Sequence, residues 1–323
     1  MTQKILITGG AGYIGSALCQ YLLENPENEI DVIDNFYYDN FNTLNSCLQN
    51  QNLGRIKIHN IDVRNINACR RLYKKADVIV PLAAIVGAKP CDEDPTSAIN
   101  INFGSIQAMI KELSAHQLVV FPNTNSGYGT VDGVCTEETP MNPISVYGTT
   151  KQQAEKVVLD HNESIVFRLA TVFGVSPRMR WDLLVNNFVI QAVRNNKLEI
   201  FEGDYWRNFI HIEDICYTFA KAIDHEIDSG VYNLGNDDIN MTKMELANCI
   251  KMFMPDNFVV SVKTGKDPDQ RNYKVSSKKL REQRVKILVP LEIGIAQILN
   301  LAYLYKDMNE LMFKCITARN RNY

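Results

Sequence analysis

The chain of 323 residues lacks the features that anchor a protein, bind a polyanion or staple a small fold. Its longest weakly polar run, Val78 to Ala88, has 11 residues and includes a proline and a glycine, whereas a membrane span needs about 20 apolar residues. A strand-like Lys4-Ile5-Leu6-Ile7-Thr8 begins almost at the first residue, with no charged leader or cleavage site, so a cytoplasmic location and no membrane partner are expected. Lys and Arg number 34 against 37 Asp and Glu, a net charge of −3, which argues against nucleic acid as a principal partner. Eight cysteines (19, 47, 69, 91, 135, 216, 249 and 315) never form C-x-x-C. In a chain this long they read as reduced buried thiols, neither a disulfide frame nor a zinc site, and no metal is expected. There is no internal repeat and no linker rich in Gly, Ser or Pro. With 46% hydrophobic and 22% charged residues, disorder and low complexity are excluded as the main organisation.

What the chain does have is alternation. Strand patterns at 4–8, 30–34, 56–61, 77–82, 118–122 and 165–170 are separated by helical patterns at 16–24, 65–75, 98–114 and 147–160. Strands alternating with helices of this length predict an α/β fold, a doubly wound parallel sheet of the Rossmann type. After about residue 170 the alternation loosens. Short strands at 198–201, 209–212, 231–234 and 258–262 mix with helices near 182–195, 242–253 and 290–304. The length suggests about two domains. Residues 1–170 are expected to form the dinucleotide domain, with a return segment around 203–230, and 171–323 a smaller, partly interleaved α/β substrate lobe.

Thr8-Gly9-Gly10-Ala11-Gly12-Tyr13-Ile14-Gly15 follows the first strand and opens the first helix. Glycines in that place let backbone N–H groups approach a pyrophosphate held at the positive end of the helix dipole. A glycine run alone is weak evidence; here Asp34 ends the next strand, 19 residues beyond Gly15, where a carboxylate accepts hydrogen bonds from an adenosine ribose. A carboxylate there also repels a 2′-phosphate, and no Lys or Arg lies between Asp34 and Arg55 to neutralise one, so the cofactor is expected to be NAD. Asp62, ending the third strand, either meets the adenine edge or is a solvated loop carboxylate.

Tyr147-Gly148-Thr149-Thr150-Lys151 sets a tyrosine and a lysine one helical turn apart. A tyrosine with an ordinary pKa near ~10 acts as a base at neutral pH only if its phenolate is stabilised, and an ammonium beside it does that. Such pairs arise often by chance. This one gains weight from Phe121-Pro122-Asn123-Thr124-Asn125-Ser126-Gly127-Tyr128-Gly129, hydroxyl-rich and directly after the fifth strand, where a parallel sheet faces its ligand crevice.

Together these motifs make the sequence resemble an extended short-chain dehydrogenase/reductase of the nucleotide-sugar epimerase/dehydratase family. The pattern runs from Thr8-Gly9-x-x-Gly12-x-x-Gly15 through Asp34, Asp62, Ala83-Ala84, Asn102 and Thr124 to Tyr147-x-x-x-Lys151 and Arg168. The resemblance implies an NAD-dependent enzyme that oxidises a sugar hydroxyl. Tyr147 would be the base, Thr124 a hydrogen-bonding relay, and Lys151 the residue that holds the nicotinamide ribose and lowers the tyrosine pKa. It implies cofactor contacts from Gly9, Gly12, Tyr13, Ile14 and Gly15 on the glycine loop and from Asp34, Asn35, Asp62 and Val63 beside the adenosine. Leu82, Ala83, Ala84 and Asn102 would complete them.

Family dehydratases resemble one another in an acidic residue two places after the catalytic Thr or Ser; here that place is Ser126, preceded by Asn125, and neither is an acid. Enzymes that epimerise C3 and C5 tend to carry a cysteine there. What remains is oxidation at C4, followed by hydride return to the other face (a 4-epimerase) or release of the keto sugar (a 4-dehydrogenase). The alternatives are a 4,6-dehydratase with relocated acid and base, or a non-catalytic NAD-binding sensor, a class that has usually lost the tyrosine or lysine. The segments 122–129, 168–180 and 267–273 resemble most the GDP-heptose 4-dehydrogenase type of capsule pathways, implying a GDP-sugar; Thr171 stands where typical 4-epimerases carry Asn. On the substrate side the resemblance implies diphosphate contacts from Arg207, Arg271 and Asn187, with Thr124, Asn125, Ser126 and Thr171 near the sugar. Arg178 and Arg180 either select its hydroxyl pattern or are structural. His211 reads as a core residue. Family members pair through the helices at 98–114 and 147–160, so a homodimer or larger assembly is expected.

Overall fold

The computed structural model describes residues 2–49, 52, 54–265 and 271–307. Its centre is an all-parallel sheet of seven strands. In chain order the first five strands are β1 (Gln3–Thr8), β2 (Asn28–Asp34), β3 (Ile56–Asn60), β4 (Val78–Pro81) and β5 (Leu118–Thr124). There follow β6 (Thr130–Cys135), β7 (Ser164–Leu169), β8 (Thr171–Phe173), β9 (Lys197–Phe201), β10 (Trp206–His211) and β11 (Gly230–Leu234). The last are β12 (Asn236–Thr242), β13 (Val259–Lys263) and β14 (Asn272–Val275). The large sheet runs β3-β2-β1-β4-β5-β7-β11. Chain order reverses between β1 and β4, and in such sheets the ligand crevice opens beyond the carboxyl ends of the strands at that reversal.

The sheet is buried on both faces where its central strands are near-continuous apolar runs, such as Val78–Pro81 and Leu118–Phe121, as parallel strands covered by helices must be. Ile5, Ile7, Val32, Val78, Val80 and Phe167 face one core layer, and Leu6, Ile33, Ile79, Val119, Phe121 and Val166 the other. On the first face α1 (Tyr13–Leu22) packs against a later helix; on the second lie α2 (Ile66–Lys75) and the helices that follow β4. Those are α3 (Ala88–Glu93), α4 (Pro95–Ile99) and α5 (Ser105–Ile110), then α6 (Val146–Leu159). The expected helix over 98–114 is a composite: α4 and α5 are joined by one turn of π-helix, Asn100–Gly104. That widened turn faces Asn102 back toward the loop after β4, where its amide is bonded on both sides to Ile85. A π-turn of this kind often marks a functional site.

The remaining helices are α7 (Leu184–Asn195), α8 (Ile212–Ile223), α9 (Lys243–Lys251), α10 (Lys278–Glu282) and α11 (Leu291–Leu304). Strand pairing crosses between the two halves of the chain. α8 packs on α1, and β11, read from the sequence as one of the loosely ordered later strands, adds to the edge of the large sheet beside β7. In the other direction β6 leaves the first half to pair with β14. The three-stranded sheet β12-β10-β8 and the pair β13-β9 lie in the second half, with α7 against α11. No helix among the described residues is long and apolar enough to cross a membrane. The seven cysteines described are free thiols, and six are buried; Cys315 lies outside the described residues, as does the basic tail from Leu311.

Candidate active site

The glycine loop is a cradle that side chains would fill. Gly9 has φ +70°, and a Cβ on it would stand 2.7 Å from the backbone nitrogen of Ala83. A Cβ on Gly15 would collide with the carbonyl of Gly9. Gly12 caps α1 with no side-chain hydrogen bond, so the backbone N–H groups of the first turn open directly onto the loop. Asp34 ties this loop to the end of β2: one carboxylate oxygen accepts from Ala11 N (3.0 Å) and the other from Phe36 N (2.8 Å). Burial raises its pKa while both backbone bonds lower it. Two backbone donors leave lone pairs on a carboxylate for ribose hydroxyls. Residues 9–15 and 34 therefore fit a dinucleotide.

Around this cradle the expected contacts divide. Ile14, Leu82 and Ala84 line the crevice. Ala83 N donates to Thr8 Oγ1 (3.2 Å), which holds the β4 loop beside Gly9. The Tyr13 side chain points elsewhere: it is buried, and its hydroxyl donates to Gly174 O (2.7 Å). What Tyr13 offers the cradle is its backbone. Val63 is buried in the second core layer, where its side chain packs rather than binds. Asn102 is a strap: besides Ile85 its amide reaches Thr150 Oγ1 (3.4 Å) on α6, so it fixes the loop of residues 82–85 to the helix that carries Tyr147 and Lys151. Asp62 makes a bidentate pair with Arg64 (2.9 and 2.7 Å) and accepts from Asn35 Nδ2 (3.1 Å); the Arg64 hydrogen bond holds its pKa near about 2. Asp62 is thus a paired carboxylate on the loop, kept ionised.

At the other end of the crevice the residue types expected for proton transfer converge. Ser145 caps α6, accepting from Gly148 N (3.1 Å), and this start point sets Tyr147 and Lys151 one turn apart facing the end of β5. Thr124 lines the crevice with Tyr147, donates to Ser126 Oγ (2.9 Å) and accepts from Ser126 N (3.1 Å). Burial pushes the Tyr147 hydroxyl up to about 12, against the pull of Arg271, Arg180 and the neighbouring Thr124 hydroxyl. Burial draws the Lys151 ammonium down to about 7, with Glu155 opposing it. The ammonium lies 4.1 Å from the centre of the Phe121 ring.

A buried polar network supports this pair, and none of it was anticipated as a site. Glu155, one turn beyond Lys151, is held by Arg168 through both oxygens (2.7 and 3.1 Å) and by the Asn123 amide at the end of β5. Arg168 also donates to Tyr128 Oη and Glu137 O, both at 3.0 Å. The network locks β5, α6 and β7 together beneath Thr124, Tyr147 and Lys151. In the sequence, Arg168 stands in the family pattern without a role, and Glu155 lies four residues after Lys151 on the same face of α6.

Thr124, Ser126, Tyr147, Lys151, Thr171, Arg180 and Arg271 line one crevice of about 280 Å³. Arg271 donates to Ser126 Oγ, so its guanidinium sits at the reacting end. This differs from the expectation that it serves the diphosphate. Arg207 is buried and donates to the backbone carbonyls of Trp206 and Arg271, which gives it a role in holding the Arg271 segment. Of the segment 267–273, residues 267–270 lie outside the described residues. The Asn187 amide donates to Trp181 O (3.2 Å) and accepts from Gln191, away from the crevice lining. Asn125 is fully buried and neither atom of its amide has a partner. Arg178 lies outside the crevice lining, its guanidinium 5.5 Å from the Tyr38 ring; Arg180 is in it, paired bidentately with Asp182 (2.7 and 2.5 Å). His211 is buried and caps α8, accepting from Glu213 N (3.3 Å). Asp92 on α3 also lines the crevice, and no motif in the sequence singles it out. Among the described residues no group of three His, Cys, Asp or Glu could hold a metal.

The sequence profile of the NAD dependent epimerase/dehydratase family matches residues 5–235. The chain belongs to this family. Its members' cofactor, NAD, is the dinucleotide that the cradle and Asp34 fit, and the protein is an NAD-dependent enzyme. Within the family it is 31% identical over 266 residues to an uncharacterised UDP-glucose epimerase, YtcB, of Bacillus subtilis, covering 77% of this chain and 80% of that one. It is 28% identical to UDP-glucuronic acid decarboxylase 6 of Arabidopsis thaliana, covering 86% and 82%. The fold is also that of UDP-glucuronic acid 4-epimerase from Bacillus cereus, solved with UDP-glucuronic acid and NAD, at a TM-score of 0.82 and 23% identity over 94% of this chain and 99% of that one.

Proposed function

We propose that the enzyme oxidises the C4 hydroxyl of a nucleotide-activated sugar, with Tyr147 as the base. The observation that carries this is Thr124 at the carboxyl end of β5 and Tyr147 on α6 lining one crevice, with Lys151 buried one turn along the same helix and in that crevice too. NAD, when bound, supplies the hydride acceptor. Tyr147 takes the hydroxyl proton, which Thr124 orients through its own bond to Ser126. The two guanidinium groups of Arg180 and Arg271 favour the phenolate that the base must become, and the Lys151 ammonium, when protonated, acts in the same direction. The buried, low-dielectric setting strengthens each of these charges.

Ser126 and Asn125 place no acid beside the sugar after Thr124, which favours simple oxidation at C4, as a 4-dehydrogenase or a 4-epimerase. One observation keeps a dehydratase as the second reading: Asp92 brings a carboxylate to the same crevice from α3. The quoted relatives are named for UDP-sugars, so the expected preference for GDP finds no counterpart among them. The experiment is nicotinamide absorbance with excess NAD and a panel of UDP-, GDP-, dTDP- and CDP-sugars, followed by product analysis. NADH beyond one equivalent per site identifies a 4-dehydrogenase and its substrate. A 4-epimeric sugar without NADH accumulation identifies an epimerase, and a 4-keto-6-deoxy product a dehydratase. Every sugar returned unchanged would overturn the proposal.

A further inference from the structure

A dinucleotide carries two negative charges on its diphosphate, yet residues 9–15 contain no Lys or Arg, and none lies between Asp34 and Arg55. The loop of residues 174–180, which follows β8, lies along α1 instead. Tyr13 Oη donates to Gly174 O (2.7 Å), and Ser176 Oγ donates to Tyr13 O (2.6 Å). The hydroxyls of Ser16 and Ser176 meet at 3.2 Å, and Arg178 N donates to Ser16 Oγ (3.3 Å). These bonds bolt the loop to the first turns of the helix whose N-terminus faces the cradle.

From that loop the Arg178 guanidinium lies 5.5 Å from the centre of the Tyr38 ring. Tyr38 belongs to the segment after Asp34, which is itself tied to the glycine loop: Asn40 Nδ2 and Thr43 Oγ1 both donate to Ala11 O (2.6 and 3.0 Å). The contact therefore joins the segment that leaves β2 to the loop that follows β8, with the glycine loop and α1 between their anchor points. Arg180, two residues on, has its carboxylate in Asp182, whereas Arg178 forms no ion pair among the described residues. Its guanidinium makes one hydrogen bond, Nη1 to Met179 O (2.6 Å), of the five that a guanidinium offers. Burial and the neighbouring Arg180 lower its pKa while Tyr38 and Asp182 raise it, and the Asp182 carboxylate is bonded to Arg180, so no carboxylate among the described residues pairs directly with this half-buried cation. For Arg178 the sequence leaves open whether it selects the sugar's hydroxyl pattern or is structural.

We propose that Arg178 and Tyr38 form a latch over the diphosphate of the bound dinucleotide, Arg178 supplying the cation that the glycine loop lacks. The Tyr38 ring holds the guanidinium from the outer side. Because the two residues come from separate segments, the dinucleotide leaves only when their contact opens, so the latch slows its exchange between turnovers. This goes beyond the C4 chemistry and is independent of the sugar. A test without sugar can fail while the proposed reaction stands, and the reverse.

The test is NADH binding and release by fluorescence, with ADP-ribose as competitor, in Arg178→Ala, Arg178→Lys, Tyr38→Ala and Tyr38→Phe. Charge-assisted hydrogen bonds to a diphosphate predict that Arg178→Ala weakens NADH by about tenfold to a hundredfold. ADP-ribose should weaken equally, since it keeps the diphosphate and lacks the nicotinamide. Arg178→Lys recovers part of the loss. Tyr38→Ala speeds NADH release several-fold, roughly the effect of one exposed cation–π contact, and Tyr38→Phe does not. An unchanged NADH affinity in Arg178→Ala would overturn the latch. So would a loss confined to NADH, which would put Arg178 at the nicotinamide end. Should Arg178→Ala fail to fold, Arg178→Lys and Tyr38→Ala carry the same test.

Discussion

The two ends of the crevice solve the same problem, holding a ligand in a fixed geometry, by different physical means. At the glycine loop the geometry is in the backbone. Gly9 takes a left-handed conformation beside Ala83, and what matters is the side chain that is not there. At the reacting end the geometry is in side chains, some held by near neighbours and some by partners from other strands. Lys151 feels the charge of Glu155, Glu155 leans on Arg168 and Asn123, Thr124 on Ser126, and Ser126 on Arg271. A backbone cradle tolerates no addition; a side-chain network tolerates no deletion.

That contrast is broken most severely at Arg168. Arg168→Ala leaves Glu155 buried and without its charge partner beneath the active site. Removing one member of a buried pair costs about 3–5 kcal/mol, which denaturant unfolding would read as a large fall in midpoint with little change in slope. A midpoint within error of wild type would show that the network is not what holds this end.

At the opposite end Gly9→Ala adds one methyl group against the Ala83 backbone and forces φ out of the left-handed region. Overpacking of this kind costs about 1–3 kcal/mol, and we expect the loop to yield before the fold does. NADH affinity should fall by more than a hundredfold, roughly 3 kcal/mol, while the melting temperature moves by a few degrees. An affinity within threefold of wild type would contradict the cradle.

A smaller effect sharpens the reacting end. Lys151 titrates at about 7 in the folded enzyme, well below its ordinary 10.5, because it is buried. Between those two values the unfolded chain binds the proton that the folded chain has lost, so stability rises with pH; below about 7 both states hold it and the dependence vanishes. The cofactor-free enzyme should gain about 2 kcal/mol between pH 7 and 9 from this group, and Lys151→Met should remove that slope while abolishing activity. An unchanged slope in Lys151→Met would place the titration elsewhere.

The sequence made the first end legible and only part of the second. The glycine spacing, Asp34 and the Tyr147–Lys151 turn are local patterns, and local patterns survive in a one-dimensional reading. Six of the seven strands of the large sheet follow the same logic, with limits within two residues of the patterns at 4–8, 30–34, 56–61, 77–82, 118–122 and 165–170. What escaped depends on contacts far apart in the chain. β11 joins the large sheet only by pairing with β7, and β6 forms only because β14 returns to it. Tyr13 falls inside a cofactor motif, yet its ring is claimed by Gly174 and Asn186 from the second half. Arg178 and Arg180 are two residues apart and would both face the sugar if spacing decided; Tyr38 and Asp182, invisible as partners in the sequence, draw them to different places.

The central claim is that Tyr147 removes the proton when the sugar is oxidised. The direct measurement is single-turnover nicotinamide absorbance in NAD-loaded Tyr147→Phe, using the sugar that the substrate panel identifies, beside NADH affinity on the same preparation. The account predicts a loss of about 10²–10⁴ in the rate, the range that a positioned general base supplies, with NADH affinity within threefold of wild type. A variant that turns over near the wild-type rate with its cofactor bound would contradict it.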